Sequence, residues 1–501
     1  MISIVAAFWT MGVLNNIPYV IMLAGAKSIS QGGTALVFIA NIMPGFLLKL
    51  SSPYWFDKVS YKRRLISGAF LMGLSFIFVA TFGYLNSVKN GVNNNNNDGN
   101  NEGVSLYVLM ELLGVAFGSI QGSLGEATLL ALSGRADSLL RQRIQEDSRN
   151  NSGDNNDVTI HERKRSLCIT AFASGTGLAG PLGFAYIVFV TSVLGLSLTA
   201  SLCISLIFPI AYIFVFIKYL LKFTDSGNIN NNDENEEEVA AFINQSVTIE
   251  ESITESSSSG HYIVDDDCSD LHNNSQYNER IIMESAKSVE ISSESFDDNA
   301  CDNENDLSAD TTSNIVKAMN MGEKFKLTLS LWPYMIPLFI VYTAEYALQS
   351  GVWTAIGFPV EDEVARNRFY TNSNWAYQIG VFVSRSSGAF CIAPMWLLWL
   401  MPILQCANLI YFYLIATFHF WYTSILFILC FYVGLLGGSV YVNGYMRINK
   451  DLPISIREFA LSTASIADGL GIVVADISGL FIQSCLYKNN NIAGSVVSCP
   501  I

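Results

Sequence analysis

Charge is scarce in this chain. Charged residues make up 14% of its 501 residues and hydrophobic ones 51%, where an ordinary soluble protein carries about 25% charged residues. That excludes an ordinary soluble globular protein. Histidine is scarcer still: His161, His261 and His272 fall in polar stretches, and His419 ends an apolar run. There is no GxSxG elbow and no HExxH pair, so neither a serine hydrolase nor a zinc peptidase can be assembled, and no enzymatic activity, cofactor or metal is expected. The nine cysteines lack paired spacing, which argues against a disulfide framework or a zinc site. Bases are outnumbered, giving a formal charge of −15, but the imbalance is local. Residues 223–316 hold 23 of the 43 acids and only Arg280 and Lys287 as bases, so the remainder sums to +6. No stretch forms a nucleic-acid-binding face.

What the chain has in abundance is long apolar runs. A spanning helix needs about 20 mostly apolar residues, and eleven such runs occur, near 2–26, 34–50, 65–85, 104–133, 167–190, 194–217, 329–355, 371–388, 391–417, 421–446 and 459–486. The expected fold is an all-α polytopic membrane protein with about eleven transmembrane helices. The first run ends in Ala24-Gly25-Ala26, which looks like a signal-peptidase site, but no base precedes it and the run is long, so it reads as a retained helix.

Lysine and arginine set the orientation, because short basic loops stay cytosolic. With the N-terminus cytosolic, 22 of the 28 bases fall on that side, among them Lys58, Lys62, Arg63 and Arg64, those from Arg135 to Arg165, and Arg447, Lys450 and Arg457. Lys27, Lys89, Arg366, Arg368 and Lys488 fall on the other, and Arg385 lies within or at the end of a run. The C-terminus then faces the second compartment. Sequons beginning at Asn150, Asn244 and Asn273 are cytosolic and should be unused. The stretch 223–316, rich in Asn, Ser, Asp and Glu, has too few clustered apolar residues to offset the entropy of ordering. The division is therefore an N-terminal half of six helices (1–222), a mostly disordered acidic cytosolic linker (223–328) and a C-terminal half of five (329–501).

Two runs carry small residues four apart at a constant offset of 296: Gly175, Ala179, Gly183 and Gly471, Ala475, Gly479. Such stripes let helix backbones approach in lipid, and their recurrence suggests two parallel halves, six helices and then five, in a major-facilitator-like arrangement lacking its last helix. Between the second and third runs, Asp57-Lys58-Val59-Ser60-Tyr61-Lys62-Arg63-Arg64 resembles the cytosolic gating loop of that superfamily, with Pro53 and Tyr61 where that motif has glycines. A positive-inside anchor is the alternative. Gly175-Thr176-Gly177-Leu178-Ala179-Gly180 fits GxGxxG, but a dinucleotide needs free N–H groups at a helix start, not the middle of an apolar helix.

A charge at mid-membrane costs at least about 2.5–3.5 kcal/mol on insertion scales, which singles out Glu111, Glu126, Glu345, Arg385, Asp468 and Asp476. Glu345 lies mid-run and is the first candidate for proton coupling or substrate contact. Glu126 and Asp468 sit among glycines and could carry a proton or a cationic substrate group. Arg385 could grip a phosphate or carboxylate bidentately or, flanked by Ser384, Ser386 and Ser387, act as an interfacial anchor. Asn15-Asn16-Ile17-Pro18-Tyr19 frees backbone carbonyls and places Asn15, Asn16 and Tyr19 where a broken helix could line a cavity; a simple kink is the alternative.

Blocks along the chain resemble the battenins, the lysosomal membrane proteins linked to juvenile neuronal ceroid lipofuscinosis: Leu14 to Leu23, Leu124-Gly125-Glu126-Ala127-Thr128, Ser174-Gly175-Thr176-Gly177, Ala344-Glu345-Tyr346, Gly380 to Ser387, Gly434-Leu435-Leu436-Gly437-Gly438 with Tyr441-Val442-Asn443, and Arg457-Glu458-Phe459-Ala460. The resemblance implies a multipass protein of lysosomes, late endosomes or related acidic vacuoles, tied to lumenal pH, basic amino acid handling and clearance of glycerophosphodiesters. Its partners would be a small-molecule substrate, protons and the bilayer. An anionic phosphodiester would suit Arg385; lysine or arginine would suit Glu126, Glu345 and Asp468. A non-transporting scaffold that recruits trafficking proteins through the 223–328 loop is the other reading. The chain departs from the family pattern at Val433, where an acid is expected, and in its last four residues, Ser498-Cys499-Pro500-Ile501, which do not form a prenylation box.

Overall fold

The computed structural model describes residues 4–24, 34–93, 106–150, 166–224, 316, 319–390, 392–493, 495 and 497–500. The acidic stretch 225–315, with most of the expected linker, lies outside them, as do the asparagine-rich segments 94–105 and 151–165. The protein is an all-α polytopic membrane protein. Its helices are α1 (Ile4–Ala24), α2 (Thr34–Ser51), α3 (Tyr61–Asn93), α4 (Leu106–Asn150), α5 (Leu167–Val188), α6 (Leu198–Ile204), α7 (Ile207–Val215), α8 (Met321–Ser330), α9 (Trp332–Ala347), α10 (Glu363–Ser386), α11 (Met395–Phe418), α12 (Leu426–Asp451) and α13 (Ile454–Asn489). Among the described residues, eight helical stretches are long and apolar enough to cross a bilayer, and α8 with α9, bent by 66°, makes a ninth.

Helix is the form such runs must take, because lipid offers no partner for a free N–H or C=O. Pro18, Pro44, Pro181, Pro337 and Pro402 all sit inside helices, which neighbouring helices and local adjustments of the ladder tolerate in lipid. α1 therefore runs through Pro18, where a broken helix was one reading of the sequence. α10 begins at Glu363, eight residues before its apolar run, because Asp362 accepts from the Val364 N–H and caps it. Residues 321–328, read as the end of a linker, form most of α8, closed by a reciprocal cap between Asn320 and Glu323.

Two packing relationships recur. α1 lies along α5 and α9 along α13; α2 lies along α4 and α10 along α12. In each half the first long helix pairs with the fifth and the second with the fourth. The repeated glycines lie in these seams. A Cβ on Gly175 would stand 2.0 Å from the Trp9 carbonyl oxygen, and one on Gly471 would stand 2.8 Å from that of Phe339. Gly183 faces Val20, and Gly479 faces Ser350 and Gly351. Across the halves, α5 meets α10, and α13 meets α2 and α4.

One end of the bundle, here the basic face, carries the starts of α1, α3, α5 and α13 and the ends of α2 and α12, with Lys58, Lys62 and Arg63 exposed. At the opposite face, Cys485 and Cys499 form a disulfide that folds the C-terminal segment back on α13, and Ser484 donates to the Val497 carbonyl at 2.6 Å. The expectation of no disulfide fails for this pair: the 14-residue separation has no helical or motif spacing to reveal it.

Candidate functional site

Charge collects where the halves meet, between the middles of α4 and α13 and the last turns of α2 and α10. Lys49, late in α2, is buried with its Nζ 2.7 Å from Glu126 Oε2 on α4 and 3.2 Å from both carboxylate oxygens of Asp468 on α13. The Gly469 N–H also donates to Asp468 at 2.9 Å. Two carboxylates from different halves therefore share one ammonium. Sequence reasoning missed Lys49, because its place at the end of an apolar run made it look like another basic loop residue; Gly45, where a Cβ would stand 2.6 Å from the Ser119 carbonyl oxygen of α4, was the available hint.

The network continues across the interface. The Tyr441 hydroxyl of α12 donates to Glu126 Oε1 at 2.7 Å. The Arg385 guanidinium stacks on the Tyr441 ring, 4.0 Å from its centroid, and donates to Thr176 Oγ1 on α5 at 2.6 Å and to the Tyr342 hydroxyl on α9 at 2.9 Å. Its Nε is buried without a partner. Arg385 is thus held inside the bundle by both halves, not stretched toward a head group, so the interfacial-anchor reading is set aside. Tyr342 stacks on Tyr346 with centroids 5.9 Å apart, and Tyr441 meets Tyr445 edge-on. A chain of contacts, Lys49 to Glu126 to Tyr441 to Arg385 to Tyr342, runs through five helices.

Glu345 stands apart from this chain, within the second half. Its Oε1 accepts from the Tyr377 hydroxyl at 3.1 Å, and its Oε2 is buried with no partner. Gly437 on α12 makes the room: a Cβ there would lie 1.8 Å from Oε2. Glu111 is buried between α3 and α4 with Asn86 donating to it at 3.3 Å. Asp476 lies half-buried on α13 facing Tyr19 and Tyr370.

The polar cluster of α1 divides. Asn15 is buried and donates to the Gly122 carbonyl at 3.0 Å and to Asn16 Oδ1 at 3.2 Å, while Gln121 donates to its Oδ1 at 3.1 Å. Asn15 thereby binds α1 to α4, with Asn16 bonded to it on the same helix. Tyr19 lies beside Tyr346 of the second half. The GxGxxG glycines serve helix contact: Gly175 meets α1, and Gly177 and Gly180 face Arg385 and Gln378 of α10.

The residues read as a gate are also split. Asp57 Oδ2 accepts from Lys324 Nζ of α8 at 2.9 Å, with both side chains buried or nearly so. Arg64 lies over the rings of Phe56 and Tyr61 and donates to the Val59 carbonyl, stiffening the turn before α3. Lys58 and Arg63 are exposed. Further ties at this face join the halves: the Tyr61 hydroxyl donates to Glu458, Arg457 to Ser138 at 3.0 Å, and Asn449 to Ser166 at 2.7 Å.

The spread of these contacts over α1, α2, α4, α5, α9, α10, α12 and α13 matches the spread of a family signature: the profile of the family described as "CLN3 protein" matches residues 6–140 and 157–489. The chain belongs to the CLN3 protein family. Curated relatives agree over full length. Protein BTN1 of Yarrowia lipolytica is 28% identical, with 97% of this chain and 95% of that protein covered; Protein BTN1 of Saccharomyces cerevisiae is 26% identical, with 96% and 94% covered. Among solved structures, the human organic anion transporter MFSD10 aligns over 97% of this CLN3-family chain and 96% of its own, at 10% identity and a TM-score of 0.48.

Proposed function

We propose that this CLN3-family protein is a transporter of lysosomal, late endosomal or vacuolar membranes that exports small anionic degradation products, with glycerophosphodiesters as the substrate class, and so contributes to lumenal pH and osmotic balance. On this reading the basic face is cytosolic and the disulfide-bearing face lumenal. The disulfide supports that orientation, since such bonds persist in oxidising compartments.

One observation carries the choice of substrate. Glu126 and Asp468, which could have held a cationic amino acid, already share the Lys49 ammonium, whereas Arg385 has an unpartnered Nε beside hydroxyls from both halves. A phosphodiester offers two oxygens that accept in parallel from a guanidinium fork. Binding there would draw on Thr176 of one half and Tyr342 of the other, coupling substrate to the relative position of the halves. Through Tyr441 the same event bears on the Lys49 triad, where a proton added to Glu126 or Asp468 would loosen the tie between α2, α4 and α13. Glu345, with one oxygen free of partners, is a second place for a proton.

The test is export from purified acidic organelles of cells lacking the protein, rescued by wild type, Arg385→Lys or Glu345→Gln. Accumulated glycerophosphodiesters cleared only by wild type support the reading. Accumulated lysine and arginine would move the substrate to the carboxylates. Unchanged metabolites with mislocalised organelle proteins would sink the transporter and favour a scaffold acting through residues 223–328.

A further inference from the structure

The helix α8 is not required to cross the bundle and is not covered by it. Ten residues long, it meets α9 at 66° at the basic face. Since α9 continues as a spanning helix, α8 runs closer to the plane of the membrane than to its normal. Its two sides differ. Lys324 and Leu327, one turn apart, are buried against the bundle, and Lys324 holds Asp57. Met321, Phe325 and Leu329, four apart, together with Trp332 at the bend, form a single apolar stripe 49–61% exposed. Trp332 packs edge-on against Trp399 of α11, with Trp396 exposed beside it. Tryptophans gather at the head-group level, and an apolar stripe along a helix in that plane is the pattern of an interfacial helix.

We infer that α8 is an interfacial latch: its stripe sits in the head-group boundary of the basic-face leaflet while Lys324, on its inner side, clamps the α2–α3 turn through Asp57. The occupant of the stripe is lipid. A bundle neighbour is excluded by the packing, and the helix is continuous with a membrane span whose tryptophans already mark the boundary. Because Asp57 belongs to the first half and α8 opens the second, the basic face cannot part without breaking this ion pair. Lipid seating of α8 thereby adds to the Tyr61–Glu458, Arg457–Ser138 and Asn449–Ser166 ties that hold that face shut, and lifting α8 weakens the closure.

Two measurements on the full chain in phosphatidylcholine–phosphatidylglycerol vesicles test this. Bimane is placed on single cysteines at Phe325, Leu329 or Lys326 in a cysteine-depleted background, and quenching by brominated acyl chains is read. Strong quenching at 325 and 329 with little at 326 is expected. Equal quenching at all three, or cross-linking between copies at 325 in place of quenching, overturns the lipid assignment. The latch is read by maleimide labelling of Leu461→Cys, a buried position of α13 beside Gly134 of α4 at the inter-half seam. Asp57→Asn and Lys324→Met should each speed labelling at least about tenfold, since breaking a buried pair leaves one charge uncompensated, and the swap Asp57→Lys with Lys324→Asp should restore slow labelling. Fast labelling in the swap, or slow labelling in both single variants with intact size-exclusion profiles, overturns the clamp.

Discussion

Lys49 and Asp468 are 419 residues apart in the chain and 3.2 Å apart in the fold. That pair, with Glu126 at 2.7 Å on the other side of the ammonium, places the meeting of the two halves on a single buried cation. Two carboxylates around one ammonium leave one negative charge in excess, relieved in part by the Tyr441 hydroxyl and the nearby Arg385 guanidinium.

Removing the cation is therefore more damaging than removing the whole cluster. Lys49→Met leaves two buried carboxylates facing each other and should lower stability by about 3–5 kcal/mol, whereas Lys49→Met with Glu126→Gln and Asp468→Asn should recover most of the loss. Thermal unfolding in detergent, followed by fluorescence-detected size exclusion, distinguishes the two; a triple variant no better than the single one would show that the pairing is not what the lysine supplies.

Arg385→Lys keeps the charge and loses the fork. A lysine cannot reach Thr176 and Tyr342 together. Charge-assisted hydrogen bonds contribute about 1.5–3 kcal/mol each, so losing one should raise the KM for substrate about tenfold to a hundredfold with the fold intact. Uptake into proteoliposomes as a function of substrate concentration measures it, and an unchanged KM would remove Arg385 from the binding site.

Glycine positions should separate sharply. A Cβ on Gly434 would stand 2.1 Å from the Tyr377 carbonyl oxygen and one on Gly380 2.2 Å from that of Phe431, whereas nothing lies within 4 Å of Gly68 or Gly73 on α3. Gly434→Ala should force α10 and α12 apart at a cost of about 1–3 kcal/mol. Gly68→Ala should be neutral or stabilising by up to about 1 kcal/mol, since alanine is the better helix former. Melting temperatures of the purified variants check both signs.

The C-terminal disulfide gives a sidedness assay. In sealed organelles a membrane-impermeant maleimide should reach neither Cys485 nor Cys499 even with an impermeant reductant, whereas after permeabilisation and reduction both should label and shift the protein on a gel. Cys499→Ser opens a 14-residue loop, worth about 3 kcal/mol in the chain-entropy account, so a lowered melting temperature should accompany the loss. Labelling without reductant would show that the pair is open in the membrane.

Much of the architecture was legible in the chain because lipid leaves little choice. Long apolar runs must be helices, so each of the eleven runs overlaps a helical segment among the described residues, eight or nine of them long and apolar enough to cross, and a strict 296-residue offset between glycine stripes announced seams that recur in both halves. The boundaries were less legible at α8 and α10, where polar caps at Asn320 and Asp362 extend helices beyond the apolar residues. Family membership was legible too, because the resemblant blocks run along nearly the whole chain.

What composition and spacing determined, then, is that this chain lives in a membrane as a helical bundle with a few buried charges, and the resemblant blocks, not composition, tied it to the CLN3 family. Which of those charges act together was decided only by the tertiary structure. Ion pairing depends on distances of a few ångström between side chains on different helices, and no local pattern encodes the closure that brings α2, α4 and α13 together. Lys49 looked like a loop base until Glu126 and Asp468 closed around it, and Arg385 stood between an anion grip and an anchor until Thr176 and Tyr342 enclosed it.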